Sequence, residues 1–158
     1  MKKNQGFSLV ELIVVVAIMA ILIGVLAPAY LRYVEKSRKS TDVSAIDEMI
    51  GAADKVAVDP ELEVPSGAKF TISINGGTAS ISYATSAATA ASVVTDEWKA
   101  LANMKTADYT IKSSAWSTGD GSFVGTVGDD GDVTWGHSGT VANDMCSFSS
   151  ALAKKAGS

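Results

Sequence analysis

Twenty consecutive residues, Leu12–Leu31, carry no charge, and this run restricts the chain more than anything else in it. As a helix at ~1.5 Å per residue it spans ~30 Å, the hydrocarbon thickness of a bilayer. A helix at the surface of a soluble core shows one apolar stripe. This one is apolar all round, so it predicts an element that needs lipid or other apolar helices as its surroundings. Lys2 and Lys3 precede it, and the positive-inside bias then places Met1 in the cytoplasm and the rest of the chain outside. A basic stretch after the run (Arg32, Lys36, Arg38 and Lys39 against Glu35, a balance of +3) opposes that orientation.

Two simpler readings fit less well. A secretory signal has an apolar region of about 7–15 residues and a small-residue cleavage site after it. Here the run is longer and helical character continues beyond it. A plain single-pass anchor leaves Glu11 unexplained, since a carboxylate costs about 2.5–3.5 kcal/mol at mid-membrane and less near a helix end.

The remaining composition excludes much chemistry. With 47% hydrophobic and 19% charged residues the chain is not of disordered type. One Cys allows no disulfide within the chain and no zinc site needing two of its thiolates. One His removes most acid–base constellations. Every acidic residue except Glu11 and Glu35 lies past Thr41, fifteen in all against seven Lys, a balance of −8. That argues against nucleic-acid binding by bulk charge.

Gly6-Phe7-Ser8-Leu9-Val10-Glu11, after a short basic leader and before some twenty apolar residues, closely resembles the class III signal of type IV pilins and pseudopilins. The resemblance covers roughly Met1 to Arg38. It implies a leader at 1–6, a transmembrane and filament-core helix at 7–31, the amphipathic half of the same helix at 32–57, and a globular body at 58–158. It implies that a prepilin peptidase cuts between Gly6 and Phe7 and N-methylates Phe7. It also implies an assembly ATPase and a membrane platform protein as partners, a homopolymer as product, and no catalysis. Glu11 then pairs with the Phe7 amine of a neighbouring subunit, or with that of its own chain. Pairing offsets the cost of two charges in an apolar core. The precursor is expected in the cytoplasmic membrane with its body outside, and the assembled product in an extracellular pilus. The alternatives are a pseudopilin of a type II secretion or competence machine, a minor pilin, or a membrane-anchored binding domain that never polymerises.

The pattern past the apolar run predicts an α+β fold, the lollipop arrangement of that family. Val43, Ile46, Ile50, Ala53 and Val56 form an amphipathic stripe for a small antiparallel sheet, with Asp42, Asp47, Glu48 and Asp54 on other faces. Asp59-Pro60 ends the helix. Lys69–Ile74 and Thr78–Tyr83 alternate around Asn75-Gly76-Gly77, a hairpin. Thr95 reads as the N-cap of a short helix to Met104 with Trp98, Leu101 and Ala102 inward. Tyr109–Trp116, Ser122–Val127 and Val133–Trp135 read as strands and Asn143–Lys155 as a terminal helix. Trp98, Trp116, Trp135, Phe70 and Phe123 are the expected core.

Other residues admit more than one role. Gly24 and Pro28 interrupt the apolar helix, as a passive kink or as a segment that loosens when the helix leaves lipid. Arg32, Lys36, Arg38 and Lys39 suit anionic head groups or the acidic bodies of neighbouring subunits. Asp129, Asp130 and Asp132 suit a hairpin turn better than Ca²⁺, and no cofactor is expected. Cys146 reads as a buried small residue more than as an intermolecular bridge. His137 and Ser138 read as loop residues, and the Ser/Thr tract Ala84–Thr95 as a surface connection that is also a candidate for glycosylation.

Overall fold

The computed structural model describes residues 8–85, 91–104 and 108–157. One helix, α1 (Leu9–Ala57), runs unbroken through both Gly24 and Pro28. Its start is marked by the Leu12 amide donating to the Ser8 carbonyl at 3.2 Å. Asp59-Pro60 follows its end, as the sequence predicts. The chain forms two compact units, residues 1–37 and residues 38–158. The C-terminal part of α1 therefore belongs to the body rather than standing apart from it.

The body is a five-stranded antiparallel sheet in the order β3-β2-β1-β4-β5. β1 (Lys69–Asn75) and β2 (Thr78–Ala84) form the expected hairpin in the register Asn75↔Thr78. Gly76 and Gly77 both have positive φ, 55° and 80°, as a two-residue turn of type I′ requires. β4 (Asp120–Val127) pairs with β1, and β5 (Val133–Ser138) with β4. Alternation puts Phe70, Ile72 and Ile74 on the inner face, none more than 1% exposed. The α1 stripe Val43, Ile46, Ile50, Ala53 and Val56 is buried with them in one core, together with all three tryptophans and Phe123.

Several elements depart from the sequence pattern. The strand expected at Tyr109–Trp116 is only β3 (Asp108–Thr110). Beyond it the amides of Lys112 and Ser113 donate to the Asp42 carboxylate instead of to a neighbouring strand. Asp42, expected on a polar face, is accordingly fully buried. The helix α2 (Ala91–Leu101) starts before Thr95, whose hydroxyl donates back to the Ala91 carbonyl at 2.7 Å. The earlier start buries Val94 beside Trp98, while Leu101, expected inward, is 45% exposed. The terminal helix is two, α3 (Thr140–Phe148) and α4 (Ser150–Lys155), divided at extended Ser149. The Ser149 hydroxyl accepts from the Leu152 amide and so caps α4. β5 reaches Ser138, so His137 and Ser138 are strand residues rather than loop residues. Part of the Ser/Thr tract, 86–90, lies outside the described residues.

Candidate assembly site

The first unit offers one surface. Every large apolar side chain of α1 from Leu9 to Leu31 is between 45% and 72% exposed. This is the one described helix long and apolar enough to cross a membrane, and none of its apolar window is buried within the chain. Each such side chain is worth roughly 1.5–3 kcal/mol when removed from water. The segment therefore requires an apolar environment that this chain alone does not provide. Glu11 sits in the first turn of the helix, where a negative charge meets the favourable end of the macrodipole. Gly6 and Phe7 lie outside the described residues. At the Pro28 break in backbone bonding, the Arg32 Nε donates to the Pro28 carbonyl at 3.4 Å. No heavy atom would meet a Cβ on Gly24, so that position is open around the helix.

The second unit holds the same helix through its aromatic residues. The Trp98 indole N–H donates to the Met49 carbonyl at 2.7 Å, and the Trp135 indole N–H to Asp54 at 2.7 Å. The Lys39 ammonium lies 5.2 Å from the Trp116 ring centroid, and the Phe148 ring meets Trp116 edge-on. Lys39 is thus engaged with the body, a role that reading it as part of a basic collar missed. Asp42 supplies a fourth hold. Its carboxylate accepts from the Tyr109 hydroxyl at 2.9 Å and from the Lys112 and Ser113 amides at 2.9 and 2.8 Å. Burial pushes the Tyr109 hydroxyl well above the usual tyrosine range, and the neighbouring Asp42 and then Glu48 charges push it further. Lys155 reaches Asp47 at 2.7 Å and ties α4 to α1.

The remaining candidates have local roles. In the β4–β5 turn the Gly128 amide donates to the Asp132 carbonyl, the Asp132 amide to the Asp130 carboxylate, and the Ser66 hydroxyl to Asp129. The three aspartates organise the turn and its neighbouring loop. Among the described residues no three His, Cys, Asp or Glu side chains gather as a metal set. His137 Nδ1 donates to the Ala156 carbonyl at 3.0 Å, and its ring packs beside Phe123. The Ser138 hydroxyl shares a hydrogen bond with Ser122 rather than with His137. Cys146 is buried in α3, and burial pushes its thiol up, which keeps it protonated and unreactive.

An apolar helix bare over its first half and gripped by a small body over its second defines a structural subunit whose business is to place that helix among lipids or other helices. The comparisons agree. Residues 1–27 match the family model described as the prokaryotic N-terminal methylation motif. Fimbrial protein Q of Moraxella bovis is 31% identical over 128 residues, 81% of this chain and 71% of that protein. The type IV major alpha-pilin of the same organism is 45% identical over 62 residues, 39% of this chain and 36% of the relative. No solved structure matches significantly. The chain belongs to the type IV pilin family, a family of structural subunits and not of enzymes.

Proposed function

We propose that this chain is made as a membrane-anchored precursor, cut between Gly6 and Phe7, N-methylated on Phe7, and polymerised through its apolar helix into a surface pilus. The observation that carries the reading is the fully exposed apolar face of α1 from Leu9 to Leu31, in a chain alike to a fimbrial protein over most of both lengths. Removal of that surface from water drives insertion first and helix packing afterwards. Cleavage before Phe7 creates an amine four residues ahead of Glu11. A subunit added out of register leaves two uncompensated charges in an apolar core, so the pair selects register.

The partners follow from the same reading. A prepilin peptidase on the cytoplasmic face supplies the cut, an assembly ATPase supplies the work of extraction, and a platform membrane protein holds the growing end. The precursor sits with Met1 in the cytoplasm and its body outside. Arg32, Lys36, Arg38 and Lys39 stand at the outer head groups, and in the filament they meet acidic bodies of neighbouring subunits. Pro28 and Gly24 give the helix a place to loosen as it leaves lipid. Mass spectrometry of sheared surface filaments tests the reading. The expected result is an abundant peptide beginning at methylated Phe7. An intact Met1–Gly6 leader in wild-type cells, with no filament signal, overturns it.

A further inference from the structure

We infer that the outer face of the sheet is a lateral contact between filaments, and that its partner is the same face of a second copy in a neighbouring filament. The inference rests on the pilus reading. One face of the sheet packs on α1, and the opposite face has no element over it among the described residues. Strand register lines up four serines across that open face, Ser80, Ser73, Ser122 and Ser138. The next rung is Ser82, Thr71, Val124 and Gly136. None of the eight is charged or aromatic, in a body whose balance is −8. Charges lie only at the margins, Asp108 beside Ser80 at the β3 edge and Lys69 and Asp120 at strand ends.

Charge decides between partners. Two bodies of this charge repel wherever their acidic surfaces meet, and only this face lets them approach without like charges opposed. A sugar polymer gains most from an aromatic platform, and a phosphate-rich polymer needs cations, and neither stands on these two rungs. Small hydroxyl side chains lose little rotamer freedom on contact and hydrogen-bond directly or through water. Area then fixes the scale of the effect. Four strands about 4.8 Å apart, with side chains repeating every ~6.8 Å along each, give a patch of roughly 300–400 Å². A stable dimer needs about 800 Å² per partner. One such contact is therefore too weak to hold isolated subunits together. Two identical filaments present the patch at identical spacing, so many weak contacts act together.

Purified full-length filaments test this by low-speed sedimentation, which pellets bundles and leaves single filaments in solution, with negative-stain microscopy of both fractions. Wild-type filaments are expected to pellet. The Ser82→Glu/Ser138→Glu variant alters two exposed side chains, so its body is expected to fold. It should form filaments in normal number and lose the pelleting fraction. A Ser82→Lys/Ser138→Lys variant should lose it likewise, and mixing the two variants should restore it by pairing opposite charges. Wild-type filaments that stay single, or variant filaments that pellet like wild type, overturn the inference. A wild-type chain that forms no filaments overturns the pilus reading and this inference with it.

Discussion

At the scale of single residues, Asp42 is the clearest case of an identity fixed by its partners. A buried carboxylate is costly unless its lone pairs are filled, and here a phenol and two amides fill them. Replacing Asp42 by Ala leaves those donors buried without an acceptor. The expected loss is about 3 kcal/mol of body stability, read by urea unfolding of the detergent-solubilised chain. Tyr109 adds a pH dependence. Its folded-state proton affinity is raised, first by burial and then by Asp42. The stability it contributes is thus full below the ordinary tyrosine value of about 10 and is lost as pH rises toward the folded value. The Tyr109→Phe variant should lose some stability at neutral pH and show a shallower loss between about pH 10 and 12. An alkaline profile identical to wild type would remove Tyr109 from this account. Neither role is legible in the sequence. Asp42 looks like one more polar residue opposite an apolar stripe, and the loop that buries it lies about seventy residues away.

At the scale of elements, period carries most of what can be read in advance. The α1 stripe, the β1–β2 hairpin and its Gly-Gly turn follow from spacing and turn chemistry alone. What spacing cannot supply is long-range competition. β3 stops after three residues because a helix carboxylate takes its next backbone donors. The pairing of α3 with β4 is equally hidden. A Cβ on Gly121 would stand 2.7 Å from the Ala142 amide nitrogen, and one on Gly139, where φ is 89°, 2.6 Å from Gly121. These glycines let helix and strand backbones meet. Gly121→Ala should push α3 off the sheet at a cost of about 1–3 kcal/mol, and thermal unfolding measures it. A variant as stable as wild type would mean that α3 shifts freely. The break between α3 and α4 offers a milder test. Ser149→Ala removes the α4 cap, for an expected loss of about 1 kcal/mol in the same unfolding assay.

At the scale of the whole molecule, body and apolar segment answer to different demands, and variants should separate them. Glu11→Ala removes the register charge and touches no core side chain. It should abolish filaments in the sheared fraction while the unfolding midpoint of the body stays at the wild-type value. Filaments in normal yield would rule out Glu11 as the register device. The family signature and the apolar run made this division legible from the first 38 residues. The body's own contacts needed the fold. The tryptophans carry one more consequence. All three lie in the body, and each touches α1, at Lys39, Met49 and Asp54. The chain has no other indole. Its ultraviolet emission is therefore a built-in optical gauge of how firmly the body clasps α1, and it is blind by composition to whatever surrounds Leu9–Leu31.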